Sequence, residues 1–156
     1  MSNNPQYNAE DIAQVLVKVL GDAEAAQVLC EGFGLSAADA AQALVRGANL
    51  CDMALIHALG NKDHLHLSPT GVAIALRDGL GQSNAEIAGN VSTFLGIRKN
   101  VLVQIMYTGL GLSVRDIVTA FREGLGISDT SIALALHTGL GLSGDEIEQI
   151  LYVHSE

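Results

Sequence analysis

The chain has 156 residues, of which 49% are apolar and only 4% aromatic, and its net charge at pH 7 is −9. This length suits one domain with a sizeable core, and the composition predicts a core built from Ala, Leu, Ile and Val. The negative charge argues against non-specific binding to nucleic acids or anionic membranes, because both attract positively charged proteins.

The N-terminal sequence lacks the basic start and apolar stretch of a signal peptide, and no apolar run approaches the roughly 20 residues of a transmembrane helix. These patterns predict a cytoplasmic protein without a membrane segment. Cys30 and Cys51 fall in separate predicted helices and form no Cys-x-x-Cys motif. We therefore expect two small buried thiols in a reducing compartment, and a disulfide only if those two helices touch.

Apolar residues at i, i+3 and i+4 spacing, bounded by capping residues and glycines, predict ten short helices. In the last of them Ser143 is a predicted N-cap, Glu146 completes a capping box, and Ile147, Ile150 and Leu151 share one face. In chain order the predicted helices span 9–18, 22–31, 36–46, 50–60, 68–78, 83–93, 98–108, 113–123, 128–138 and 143–154. Helices of this length are marginal in isolation, so we expect them to fold as one cooperative stack.

The same N-cap template fits five further helices. The predicted pairs are Asn8 with Asp11, Ser36 with Asp39, Ser83 with Glu86 and Ser113 with Asp116, and Ser68 is followed by Pro69 at the first helical position.

A Gly-Leu-Gly turn recurs at a spacing of fifteen residues over much of the chain. It occupies 79–81, 109–111, 124–126 and 139–141, and Phe94-Leu95-Gly96 fills the interval between the first two. A fixed period of this kind is typical of repeat proteins, whose small units stack because none can bury its apolar face alone. We expect the first glycine of each turn to end its helix in the left-handed conformation, and a positive φ also at Gly111, Gly126 and Gly141.

Helices with an acid in the first turn alternate with more apolar helices. The acids are Asp11, Asp39, Glu86, Asp116 and Glu146, and the same position holds Ala54, Gly71, Val101 or Ser131 in the apolar class. The repeat is then a helical hairpin of thirty residues. We predict an all-α fold, an α-solenoid-like stack of about ten short antiparallel helices. We also predict a single domain over 1–156, with a repeat break near 61–66 where two apolar units adjoin.

The break contains Asp63, His64 and His66, and His57 lies about one helical turn before it. The pattern favours solvent-exposed loop histidines, because no Cys pair or second His cluster accompanies it. The alternative is a metal or small-molecule site formed by His57, Asp63, His64 and His66.

Asn90 places an amide where the other predicted helices have Val, Ala or Ile, and Gly89 precedes it. A polar group on an apolar face needs a partner. The structural interpretation is a hydrogen bond to a neighbouring turn, with close packing at Gly89. The functional interpretation is contact with a ligand or peptide.

The Gly-Leu-Gly turns resemble the helix-hairpin-helix family, whose Gly-apolar-Gly hairpins offer backbone amides to DNA phosphates. The likeness covers only the turns at 79–81, 109–111, 124–126 and 139–141, and acids such as Glu86 and Glu146 follow where phosphates would bind. The resemblance implies nucleic-acid binding, and a basic stripe for it would have to run through Arg98, Lys99, Arg115 and Arg122.

No P-loop, Gly-x-Ser-x-Gly elbow or His-Glu-x-x-His motif is present. The sequence therefore predicts a non-enzymatic adaptor or inhibitor without a cofactor, which presents an acidic surface to a protein or peptide with a basic surface. The predicted partner-binding residues are Glu86, Asp116, Glu146 and Asn90. The alternatives are nucleic-acid binding through the turns and small-molecule or metal binding at the break.

Overall fold

The computed structural model describes residues 8–153, which form ten helices and no strand, so the all-α prediction is confirmed. The helices are α1 Ala9–Leu20, α2 Asp22–Gln27, α3 Ala37–Ala48, α4 Asp52–Leu59, α5 Pro69–Leu80, α6 Asn84–Leu95, α7 Lys99–Gln104, α8 Val114–Gly124, α9 Asp129–Leu140 and α10 Gly144–Glu148. Three of them, α2, α7 and α10, continue as π-helical turns over Val28–Gly32, Ile105–Gly109 and Gln149–Val153.

The helices group into two compact units, and the boundary between the units falls between Gly81 and Gln82. In the first unit α3 packs against both α1 and α5, and α2 packs against α4. In the second unit α8 packs against α6, and α9 packs against α7. Packing between every second helix is compatible with the solenoid-like repeat. The repeat break lies inside the first unit, between α4 and α5, and the single-domain organisation stays a prediction.

The predicted N-caps are confirmed at six helices. The side-chain oxygens of Asn8, Ser36, Ser68, Ser83, Ser113 and Ser143 each accept a hydrogen bond of 2.9–3.2 Å from the backbone N–H three residues later. Glu86 and Glu146 also accept the N–H of their capping serines, at 2.8 and 2.9 Å, and complete the capping box. Each cap satisfies a backbone donor that the helix itself leaves unpaired.

The second glycine of each turn, and not the first, has the left-handed conformation. Its φ is 67° at Gly81, 71° at Gly111, 61° at Gly126 and 73° at Gly141. The expected positive φ is thus confirmed at the last three positions. The N–H of Gly81 and that of Gly141 donate to the carbonyls of Arg77 and His137, which closes the last turn of α5 and of α9.

The first glycine is the last or next-to-last residue of its helical segment and has no positive φ, so the prediction that it adopts the left-handed conformation is wrong. At Gly79, Gly124 and Gly139 this residue contacts the first turn of the helix two earlier in the chain. A Cβ added to Gly79 would overlap the carbonyl oxygen of Ala38, and a Cβ added to Gly124 would overlap that of Ala85. Two further contacts of this kind join Gly47 to the Glu10 carbonyl and Gly139 to the Asn100 carbonyl. These glycines therefore set the close approach of α3 to α1, α5 to α3, α8 to α6 and α9 to α7.

We expect Gly→Ala at Gly111, Gly126 or Gly141 to lower the free energy of unfolding by about 1 kcal/mol, because the left-handed conformation disfavours a residue with a Cβ. No heavy atom lies within 4 Å of the Cβ position at these three glycines, so the effect reports the backbone alone. Urea denaturation measures it, with Gly144→Ala as a control at a helical position that also has open space. Three neutral or stabilising substitutions would show that these turns do not require the left-handed conformation.

The core of each unit is mainly aliphatic, as the composition predicted. Leu29, Leu44, Leu55, Leu59 and Leu76 are among the fully buried side chains of the first unit, and Ile87, Leu102, Met106, Phe121 and Ile132 among those of the second. Every buried residue in the described part of the chain is apolar. Packing of apolar faces, and not buried polar networks, therefore holds these short helices together.

Both cysteines are free thiols. Cys30 is half-buried, and burial together with the negative charge of Glu31 raises the pKa of its thiol. Cys51 is exposed at the N-cap of α4, so the expectation of burial is wrong for this residue. Within residues 8–153 no helix is both long enough and apolar enough to cross a membrane.

Candidate binding site

Three of the predicted binding residues, Glu86, Asp116 and Glu146, occupy the third position of α6, α8 and α10, and all three side chains are exposed. The backbone N–H of each donates to its capping serine at 3.1–3.2 Å. An acid in the first turn also interacts favourably with the positive end of the helix dipole. These residues are therefore helix-capping groups and surface charges at the same time.

Exposed acids are concentrated at the start of α10, where Asp145 and Glu148 flank Glu146. Hydrogen bonds donated to the Glu146 carboxylate by the backbone N–H and hydroxyl of Ser143 lower the pKa of Glu146. Those bonds favour the charged form and orient the carboxylate, which an exposed glutamate already carries at neutral pH.

The acidic first turns of neighbouring helices do not all lie at the same end of the packed helices, as α6 and α8 show. Gly124 in the last turn of α8 contacts Ala85, next to Glu86, whereas Asp116 lies eight residues before Gly124 and so about 12 Å along the helix axis. Glu86 and Asp116 therefore lie at opposite ends of α8. Arg122 Nη2 donates to the Leu151 carbonyl at 3.4 Å and so joins the last turn of α8 to the π-helical turn that follows α10.

Asn90 has the contacts that its structural interpretation requires. Its Nδ2 donates to Oε1 of Gln82 at 2.9 Å, in the turn that precedes α6. A Cβ on Gly89 would lie 3.1 Å from the carbonyl oxygen of Gly124, so this glycine supports the close packing of α6 and α8. A role for Asn90 in partner binding stays a prediction.

The break between α4 and α5 holds its histidines in separate environments. His64 Nδ1 lies 3.1 Å from Oε1 of Gln27, His66 has a positive φ of 53°, and His57 is an exposed residue of α4. The backbone N–H of Asp63 donates to Asn61 Oδ1 at 2.9 Å. Within residues 8–153 no three His, Cys, Asp or Glu side chains lie close enough to hold a metal ion.

Several turn amides of the kind that the helix-hairpin-helix likeness would offer to phosphates are bonded within the chain. The N–H groups of Gly81 and Gly141 donate to helix carbonyls at 3.0 and 2.9 Å, and that of Leu112 donates to the Met106 carbonyl at 3.0 Å. Of the basic residues in the proposed stripe, Arg122 forms an ion pair with Asp129 at 3.0 Å.

A groove of about 600 Å³ between α9 and α10 was not predicted from the sequence. Its walls include Thr130, Ala133, Leu134, Ile147, Glu148 and Leu151, and the Leu134 side chain is 63% exposed. A signal for it exists in the repeat, because Leu134 stands thirty residues after Gln104 and places an apolar side chain where the previous repeat has a polar one.

Comparison with known proteins adds no functional information. No protein-family model matches the chain, and the searches of curated proteins and of solved structures also give no match. Function must therefore be inferred from the residues and their geometry.

Proposed function

We propose that this protein is a non-enzymatic helical-repeat protein that binds a basic protein or peptide through the acidic first turns of its helices, with Asp116 and Glu146 at the centre of the surface. The observation that carries the proposal is the exposed Glu146 carboxylate, which accepts the Ser143 N–H at 2.9 Å and has the exposed acids Asp145 and Glu148 close by in the same helix. A fixed charge of this kind suits recognition of Lys or Arg side chains.

The surrounding charge supports a basic partner. Asp145 adds a second exposed carboxylate beside Glu146, and the ion pairs Arg77–Asp78 and Arg122–Asp129 involve neither acid. Because the net charge of −9 repels nucleic-acid phosphates, a protein partner fits the electrostatics better than the nucleic-acid alternative.

The Asp116→Asn, Glu146→Gln double variant tests the proposal without removing the caps. Both substitutions keep the backbone N–H that donates to serine, and Gln retains an oxygen that can accept the Ser143 N–H. We expect the Kd for a partner captured from the native host and then purified to rise about five- to tenfold, as two surface charge pairs worth about 0.5–0.7 kcal/mol each would require.

A matched control removes two other exposed acids, Glu123→Gln and Asp63→Asn, and should leave the Kd within about twofold, since neither acid lies in the first turn of a helix. Isothermal titration at two salt concentrations measures both variants, and the wild-type affinity should fall as salt increases. An unchanged Kd in the Asp116→Asn, Glu146→Gln variant would remove the acidic first turns from the binding surface.

A further inference from the structure

In the second unit, the last turn of α9 packs closely against the first turn of α7. A Cβ on Gly139 would lie 2.6 Å from the Asn100 carbonyl oxygen and 3.3 Å from Val103 Cβ. Gln104 Nε2 donates to the Gly139 carbonyl at 2.9 Å. Asn100, Val103 and Gln104 of α7 therefore form a contact surface, here called the seat, for the last turn of a helix that contains a glycine.

The same seat recurs on α9, where the repeat of thirty residues places Thr130, Ala133 and Leu134 at the corresponding positions. These three residues line the groove between α9 and α10. Thr130 and Leu134 are exposed, and Ala133 is half-buried. The groove therefore repeats the geometry of the seat on α7. Its apolar walls are formed by Leu134, Ile147 and Leu151, and covering them would be favourable because it removes apolar surface from water.

A helix with the required features is present in the first unit. The turn Gly32-Phe33-Gly34 at the end of α2 corresponds to Gly139-Leu140-Gly141 at the end of α9, and Gly34 and Gly141 both have a φ of 73°. Gly32 is exposed, and a Cβ placed there would meet only a side-chain atom of Val28 in its own helix, at 3.4 Å. Phe33, the counterpart of Leu140, is 53% exposed.

We propose that the groove between α9 and α10 binds a second copy of this chain, whose α2 docks there through its Gly32-Phe33-Gly34 turn as α9 docks on α7. Gly32 then lies over the Thr130 carbonyl, and Phe33 covers the apolar wall around Leu134. The contact is heterologous, because the two copies use different surfaces, so in a pair one copy keeps a free turn and the other keeps a free groove. The acidic first turns of α8 and α10 take no part in it.

The charges near the contact set its salt dependence. Glu31 precedes the docking turn and Glu148 lines the groove, and each copy has a net charge of −9. Screening of this repulsion strengthens the association of two copies as salt increases. Binding of a basic partner has the opposite dependence, so the two kinds of complex can be told apart.

Two complementary variants test the contact. Leu134→Glu alters only the groove and Phe33→Glu alters only the docking turn, and both side chains are more than half exposed, so folding should survive. Sedimentation velocity at about 100 μM detects association with a Kd up to that order. We expect concentration-dependent oligomers for the wild type, monomers for each variant alone, and a heterodimer that does not grow further when the two variants are mixed.

Met53→Glu is the matched control, because Met53 is 49% exposed on α4 and belongs to neither surface. This variant should associate as the wild type does. A wild type that stays monomeric at high salt, or variants that keep the wild-type mass distribution, would overturn the proposal. Circular dichroism of each variant shows whether a loss of oligomers is caused by unfolding. If a glutamate variant is unfolded, Leu134→Gln and Phe33→Gln replace the glutamate variants, and the same outcomes are expected.

Discussion

Replacing Gly124 by alanine should lower the free energy of unfolding by about 2 kcal/mol, within the range for overpacking of a close contact. A new Cβ would overlap the Ala85 carbonyl oxygen and lie 2.9 Å from its carbonyl carbon, and a main-chain group cannot rotate away as a flexible side chain can. The sign is informative, because alanine at an unhindered helical position is about 1 kcal/mol more favourable than glycine.

Gly144→Ala is the control for this experiment, because Gly144 begins α10 and has open space at its Cβ position. It should be neutral or stabilising. Urea denaturation of both variants gives the comparison, and hydrogen exchange of the α6 and α8 amides shows whether the disturbance lies at their contact. Equal stability of the two variants would mean that α8 does not approach α6 so closely in solution.

Leu136→Ala should cost about 2–5 kcal/mol of unfolding free energy, the range for removing a fully buried leucine side chain. Leu136 is completely buried in α9. Leu134 lies two residues earlier in the same helix and is 63% exposed, so Leu134→Ala loses little buried area. The second substitution should therefore cost less than about 1 kcal/mol.

Both leucine variants are measured at dilute concentration by urea denaturation, so that any association through the groove does not contribute. The two substitutions remove the same atoms from one helix, and the difference between them reports burial alone. Similar losses for the two variants would contradict the assignment of the two faces of α9.

The positions of the helices could be predicted from the sequence, because capping is a local signal. Ser83, Ser113 and Ser143 each start a helix through a bond to a residue three positions later, and this spacing is visible in the chain. The left-handed conformation of Gly141 is local in the same way, since its N–H donates to a carbonyl only four residues earlier.

The role of the first glycine could not be predicted, because its contact partner is distant in the chain. Gly124 contacts Ala85 and Gly79 contacts Ala38, and nothing in a fifteen-residue pattern shows which carbonyl faces which glycine. A capping function was predicted from the glycine at the first position of the turn. The actual reason for glycine there is that a second helix packs so closely that a Cβ does not fit.

The candidate site shows the same division between local and distant information. The first-turn positions of Glu86 and Asp116 follow from their capping serines. Their placement at opposite ends of α8 depends on the crossing of α8 over α6, which the sequence pattern does not contain. The groove between α9 and α10 was missed for a related reason, because it exists only where two packed helices leave a surface uncovered.

The glycine contacts have a consequence for how such a chain can change over time. Each one joins a glycine to a main-chain carbonyl, and the residues that supply the carbonyl are as different as Glu10, Ala38 and Asn100. Because every residue has the same carbonyl, the joint between two helices places no demand on the side chain at that point. Hairpins of this design could therefore be duplicated, exchanged or given new outer residues without refitting these joints, so long as each kept its glycine.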